Sequence, residues 1–377
     1  MSFKTILPVH RWASLTLGLL ALVSAATGMG LAFRSELEPI AYPRAAPASC
    51  AAPVSLDVLL AAAQMAHPKG EVDYLRILND ASQPISVRWM NKDTLYIDRC
   101  SGQVAAEQNR YSGFFGTVEW IHRGRWLPEA VGDAVMGSGA ASLLFLLLGL
   151  GLYLWWPRKG RPFLDNFKLN RKLRKGPAFD MGLHRTVGGW IVIPAAISAM
   201  TALPNAFPSL HNAMLALDGT QAEKKLHSTS KGKFVPVSAL WSEVRAISPN
   251  PREVLIHIAH KPRDPVVIFI IAADAPHANA RTYLYLDSHD GHVLSFTPYS
   301  ATGLGTRLYY WMLSIHSGEV GGMAGQLILF LGAAGTLVLG FTGIRTWYRR
   351  RANKARNAAK AGTLVQAGEH RQNQLAS

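Results

Sequence analysis

The sequence predicts an α-helical membrane protein with four transmembrane helices in two parallel repeats, plus two external α+β domains. Three observations predict it. First, four stretches lack any charged side chain: between Arg11 and Arg34, Asp133 and Arg158, Arg185 and Asp218, and Glu319 and Arg345. Each matches or exceeds the roughly 20 residues that cross a bilayer. Second, the net charge of +15 is unevenly placed. Segments 1–11, 157–185 and 345–377 hold 19 Lys/Arg against 3 Asp/Glu, while 34–133 and 207–319 hold 20 against 21. The positive-inside rule therefore expects both termini and the short middle loop in the cytoplasm. Third, the chain repeats one order twice: His-Arg, apolar span, external domain, second His, apolar span.

Taken in order, residues 1–33 read as the cytoplasmic start and first span, opened by His10-Arg11-Trp12. Its 22 uncharged residues exceed the roughly 7–15 of a signal-peptide core, so it is expected to stay as an anchor. Residues 34–120 form the first external domain, with a helix near Ser55–Ala66 and strands near 72–78, 85–90, 94–98 and 103–106. Cys50 and Cys100 fall in it; a disulfide between them and two separate buried thiols are both open readings. Residues 121–157 hold a pre-helix and the second span, and 158–183 form a basic loop. Residues 184–207 are the third span, opened by His184-Arg185. Residues 208–310 are the second external domain, with a helix near 237–247 and strands near 253–260, 266–272, 282–287 and 292–296. Residues 311–347 hold a second pre-helix and the fourth span, and 348–377 a basic tail. Asp98 to Gly102 and Asp287 to Gly291 repeat the same turn chemistry. Both odd-numbered spans run outward, so the halves relate by an axis along the membrane normal.

Histidine placement follows the repeat. His10 and His184 sit at the cytoplasmic ends of spans one and three, and His122 and His316 at the external ends of spans two and four. Two imidazoles on facing helices can ligate a haem iron from both sides, which suits electron transfer. Two haems are expected, with Arg11, Arg123 and Arg185 placed to neutralise propionates. His211 is a rival external ligand. Most of the other external histidines (His67, His227, His257, His260, His277, His289, His292) read as surface residues, with His289 and His292 as candidate substrate contacts. The basic loop reads as topology enforcement, or as a docking surface for anionic lipid or an electron donor. No Walker motif, GxGxxG or aromatic-basic surface is present, so no nucleic-acid partner is expected. The cytoplasmic parts are too short for a nicotinamide or flavin domain, leaving membrane quinol or a separate reductase as donor. A haem-free permease is the alternative, against which the uncharged spans argue; a scaffold or regulatory module is another.

The chain resembles the PepSY-associated transmembrane proteins. The resemblance rests on His10-Arg11-Trp12, Trp156-Pro157-Arg158, Leu183-His184-Arg185 and Thr342-Gly343, and on two external domains similar to PepSY domains. Within that family it resembles the ferrioxamine-type siderophore reductases. That resemblance implies a b-type dihaem protein of the bacterial inner membrane passing electrons outward to a ferric hydroxamate siderophore in the periplasm, which releases iron as Fe(II). One departure is Thr201-Ala202 in span three, where Thr27-Gly28 and Thr342-Gly343 carry Thr-Gly.

Overall fold

Uncharged Leu/Ala/Gly-rich runs can satisfy their backbone polar groups only within helices when water is excluded, and helices are what these runs form. The computed structural model describes residues 3–42, 53–157, 162–170, 175–219 and 226–375, the side chains from 360 onward excepted. The chain divides into two compact units: Met1–Met29, Ser138–Met200 and Ile328–Ser377, and Gly30–Gly137 with Thr201–Leu327.

The first apolar run is two helices, α1 (Phe3–Thr16) and α2 (Gly18–Leu31), bent by 62°. The sequence predicts one continuous span here. Ser14 Oγ and Thr16 Oγ1 bond back to the carbonyls of His10 and Trp12, and Gly18 follows, a combination that weakens the helix ladder. After α3 (Arg34–Ala41), α4 (Leu56–Ala66) and α5 (Gly113–His122), a short α6 (Glu129–Gly132) runs through a π-helical segment, Asp133–Gly139, into α7 (Ala140–Trp155). The third run is α8 (Pro177–Ala206), followed by α9 (Pro208–Ala216), α10 (Val237–Ile247) and α11 (Leu304–His316). The fourth is α12, Gly322–Leu375, which carries the expected separate tail as one continuous helix. Three spans are long and apolar enough to cross a bilayer, and the bent pair makes up to a fourth.

Eight strands lie in the second unit: β1 (Val72–Leu78), β2 (Ile85–Trp89), β3 (Asp93–Ile97), β4 (Val104–Asn109), β5 (Pro251–His257), β6 (Val266–Ala272), β7 (Arg281–Leu286) and β8 (Val293–Thr297). The sequence predicts two external domains; their four-stranded meanders join edge to edge in one antiparallel sheet ordered β4-β3-β2-β1-β5-β6-β7-β8. β1 and β5 each alternate buried and half-buried positions, and left apart each would expose an unpaired edge. Paired, they set Leu75 against Ile256 and bring Arg76 Nε within 2.6 Å of Glu253 Oε1. One core underlies the whole sheet: Leu59 and Ala63 of α4 and Leu240 and Val244 of α10 pack with Leu75, Val87, Val254, Ile256, Ile268 and Leu284. The helices are tied too. Pro236 precedes α10 and offers no capping side chain, and Asp57 of α4 accepts from Val237 N at 2.7 Å in its place. His260, expected on the strand with His257, lies beyond the end of β5.

Cys100 is engaged in a disulfide; Cys50, on which the other half of that expectation falls, lies outside the described residues.

Candidate functional site: two histidine pairs

His10 on α1 and His184 on α8 face one another in the first unit, with ring centroids 6.5 Å apart. His122 on α5 and His316 on α11 do the same in the second, at 6.4 Å. Two metal–imidazole bonds of about 2.0 Å hold the ligating nitrogens about 4 Å apart and the ring centroids a little over 6 Å apart. Both pairs have the separation that a metal ligated from opposite sides requires.

The surroundings of the first pair agree. His184 Nδ1 lies 3.1 Å from the Leu339 carbonyl and 3.0 Å from Thr342 Oγ1. A carbonyl only accepts, so Nδ1 carries the proton and Nε2 is left as a lone-pair donor, as the second shell of a ligating histidine does. Thr342 Oγ1 donates in turn to Val338 O at 2.7 Å. His10 Nδ1 is buried with no hydrogen-bond partner, although the Leu147 carbonyl faces the ring. Space beside both rings is kept by glycine. A Cβ at Gly151 would stand 3.5 Å from His10 Cε1, and one at Gly343 3.6 Å from His184 Cε1. Residues larger than alanine would fill that room.

The second pair is positioned by matched helix ends. His122 is the last residue of α5 and His316 the last of α11. Two residues on, Gly124 (φ 66°) and Gly318 (φ 78°) take left-handed conformations. Arg125 N then reaches back to Trp120 O, and Glu319 N to Ser314 O. These are Schellman caps, which stop each helix one residue after its histidine. The sequence carried this signal as His-x-Gly after both spans' pre-helices, a spacing the histidine reading missed.

Of the arginines, Arg123 lies 3.5 Å from Glu119, and Arg11 stacks on Trp12 at 5.6 Å. Arg185 gives its carbonyl to Trp155 Nε1 at 2.9 Å. Glu119, one turn before His122, is 7% exposed and also receives Arg34 Nη1 at 2.6 Å and Arg110 Nε at 3.0 Å. Burial alone would raise its pKa, but the Arg110 and Arg34 guanidiniums hold it down to about 2. His211 on α9 packs against Tyr309 at 4.2 Å.

His277, expected at the surface, is 5% exposed. Its Nε2 meets Tyr299 Oη at 2.9 Å and its Nδ1 meets Ser314 Oγ at 3.0 Å. His289 stacks on Phe234 at 5.2 Å, and the Pro262 and Lys233 carbonyls raise its pKa. Among the described residues, Asp287, Asp290 and His292 form one cluster with metal-like spacing. Asp287, however, already accepts from the backbone of Thr229, Ser230 and His289, so its carboxylate shapes the β7–β8 turn.

Residues 7–350 match a family model described as PepSY-associated TM region. No curated protein matches the chain.

Proposed function

Since the chain belongs to the PepSY-associated TM family, we propose that it is a b-type dihaem reductase of the bacterial inner membrane. In this reading it carries electrons outward from a membrane donor to a periplasmic ferric hydroxamate siderophore. The observation that carries the reading is the pair of histidine separations, 6.5 and 6.4 Å, with the proton of His184 fixed on Nδ1. Bis-imidazole haem iron, when bound, supplies one-electron transfer with no open coordination position.

The protein's own residues hold and shape the sites. His10 and His184 would hold one haem, His122 and His316 the other. Leu339 and Thr342 orient His184, and Gly151 and Gly343 leave clearance for a planar group. Arg123 and Arg110, gathered on Glu119, bring positive charge to the helix of His122 and would offset propionate charge. Reduction matters for the substrate because hard hydroxamate oxygens suit Fe(III) better than Fe(II), so the metal is released on reduction. The two halves of the chain act as parallel repeats, each contributing one ligand to each pair. The charge asymmetry supports cytoplasmic termini.

The test is the absorption spectrum of protein purified in detergent from haem-replete cells, oxidised and dithionite-reduced. A Soret band with sharp reduced bands is expected. His10→Ala and His316→Ala should each remove one of two haems. A featureless spectrum overturns the proposal; full haem retention in both variants overturns the ligand assignment.

A further inference from the structure

Next to His184 lies a group of side chains that haem ligation does not use. A 3-10 turn, Phe163–Phe167, is bonded to the end of α7 and to the middle of α8. Asn166 Nδ2 donates to the Trp155 carbonyl at 3.1 Å, and Trp190 Nε1 to the Phe167 carbonyl at 3.1 Å. Trp155 Nε1 donates to the carbonyl of Arg185, the residue after His184. Trp155, Trp156, Phe163, Phe167 and Trp190 meet edge to face, their centroids between 5.0 and 5.7 Å apart. Gly189 is what lets Trp155 sit against α8, since a Cβ there would stand 2.8 Å from the indole.

Two properties of this platform point to a ligand. Trp190 and Trp156 are 67% and 60% exposed, so the aromatic faces remain open. Beneath them Asn166 is 1% exposed, and its Oδ1 is buried with no hydrogen-bond partner. The amide orientation is not arbitrary, because a carbonyl can receive only from Nδ2. An interfacial aromatic belt explains exposed tryptophans, but not a buried acceptor left unmet, which costs about 1–3 kcal/mol. A hydroxyl donor on a flat, lipid-soluble molecule would supply the unmet hydrogen bond and cover the open rings.

We propose that this platform binds the ring of a membrane quinol, with the ring lying against the open faces of Trp156, Phe163 and Trp190 and one quinol hydroxyl donating to Asn166 Oδ1. The proposal rests on the reductase reading and names its electron donor. Oxidation of one quinol to quinone releases two electrons and two protons. A haem held by His10 and His184 would take these electrons one at a time, and two ferric siderophores would be their final acceptors. The protons pass to water. Trp155, bonded to the peptide that follows His184, joins the platform to that pair.

The experiment uses the full-length protein in lipid nanodiscs. Decylubiquinol-driven haem reduction is followed by absorbance, and an azidoquinone is photo-crosslinked and mapped by mass spectrometry. Labelling is expected on peptides containing residues 155–167 and 190. Asn166→Leu, which removes one hydrogen bond, should slow quinol-driven reduction about ten-fold and weaken labelling, while dithionite reduces the same amount of haem as in wild type. Trp190→Ala changes an exposed side chain, and the same loss is expected from it if Asn166→Leu disturbs folding. Wild-type rates and labelling in both variants overturn the proposal, as does reduction only by a soluble nicotinamide-dependent reductase. A preparation without haem overturns the reductase reading instead, and the crosslinking map still decides the quinol site.

Discussion

At the scale of single residues, the paired histidines were legible because the repeat sets four of them at matching helix ends. What holds them was less so. Thr342 and Gly343 stand out in the sequence only as a Thr-Gly pair. Their roles, accepting from His184 Nδ1 and clearing its ring, depend on α8 packing against α12, which no local pattern encodes. Glu119 is similar. A glutamate between two aromatic-rich turns reads as a surface residue until Arg34, Arg110 and Arg123 close on it. Its folded pKa of about 2 lies below the ordinary 4.5, so its stabilisation is fully present above pH 4.5 and is lost as pH falls toward 2. The difference amounts to about 3 kcal/mol. Acid unfolding followed by tryptophan fluorescence should show stability falling through that window. Glu119→Gln should be less stable at neutral pH and lose less stability on acidification; an unchanged acid profile would contradict the role.

At the scale of elements, alternation and turn chemistry placed all eight strands and both domain helices within a few residues. Three features escaped, each for a physical reason. The bend at Leu17 comes from hydroxyl groups bonding back to carbonyls, which hydropathy does not register. The length of α12 comes from a tail with no glycine or proline strong enough to stop it before residue 375. The β1–β5 seam joins strands about 180 residues apart, and strand periodicity says which face is buried but not which strand lies alongside. Because one core underlies both meanders, damage to one should be felt in the other. Leu75 is fully buried on β1, and Leu75→Ala should cost about 3 kcal/mol. Hydrogen exchange should then quicken in β5–β8 as well as in β1–β4. Faster exchange confined to residues 72–109 would mean two independent domains.

At the scale of the whole molecule, the charge distribution is the strongest single organiser: three short segments carry net +16 and the rest net −1. It predicts sidedness. A membrane-impermeant maleimide added to intact cells should label Lys231→Cys and spare Lys168→Cys, both exposed positions, and Cys100, already in a disulfide, does not compete. Labelling in the reverse order would invert the proposed topology and the direction of electron flow. The β1–β5 seam has a consequence of another kind. Its register is symmetric about the facing pair Arg76 and Leu255, and the burial of the two strands runs nearly in step along their length. Such a seam is the one that two identical half-chains would make by pairing β1 with β1. That dimer would set Arg76 directly against Arg76, a like-charge pair that destabilises a sheet. Here the second half offers Leu255 at that place and Glu253 beside it, which takes the guanidinium. The seam thus favours joining unlike halves over self-association, and a chain holding both halves can let each change without losing its partner.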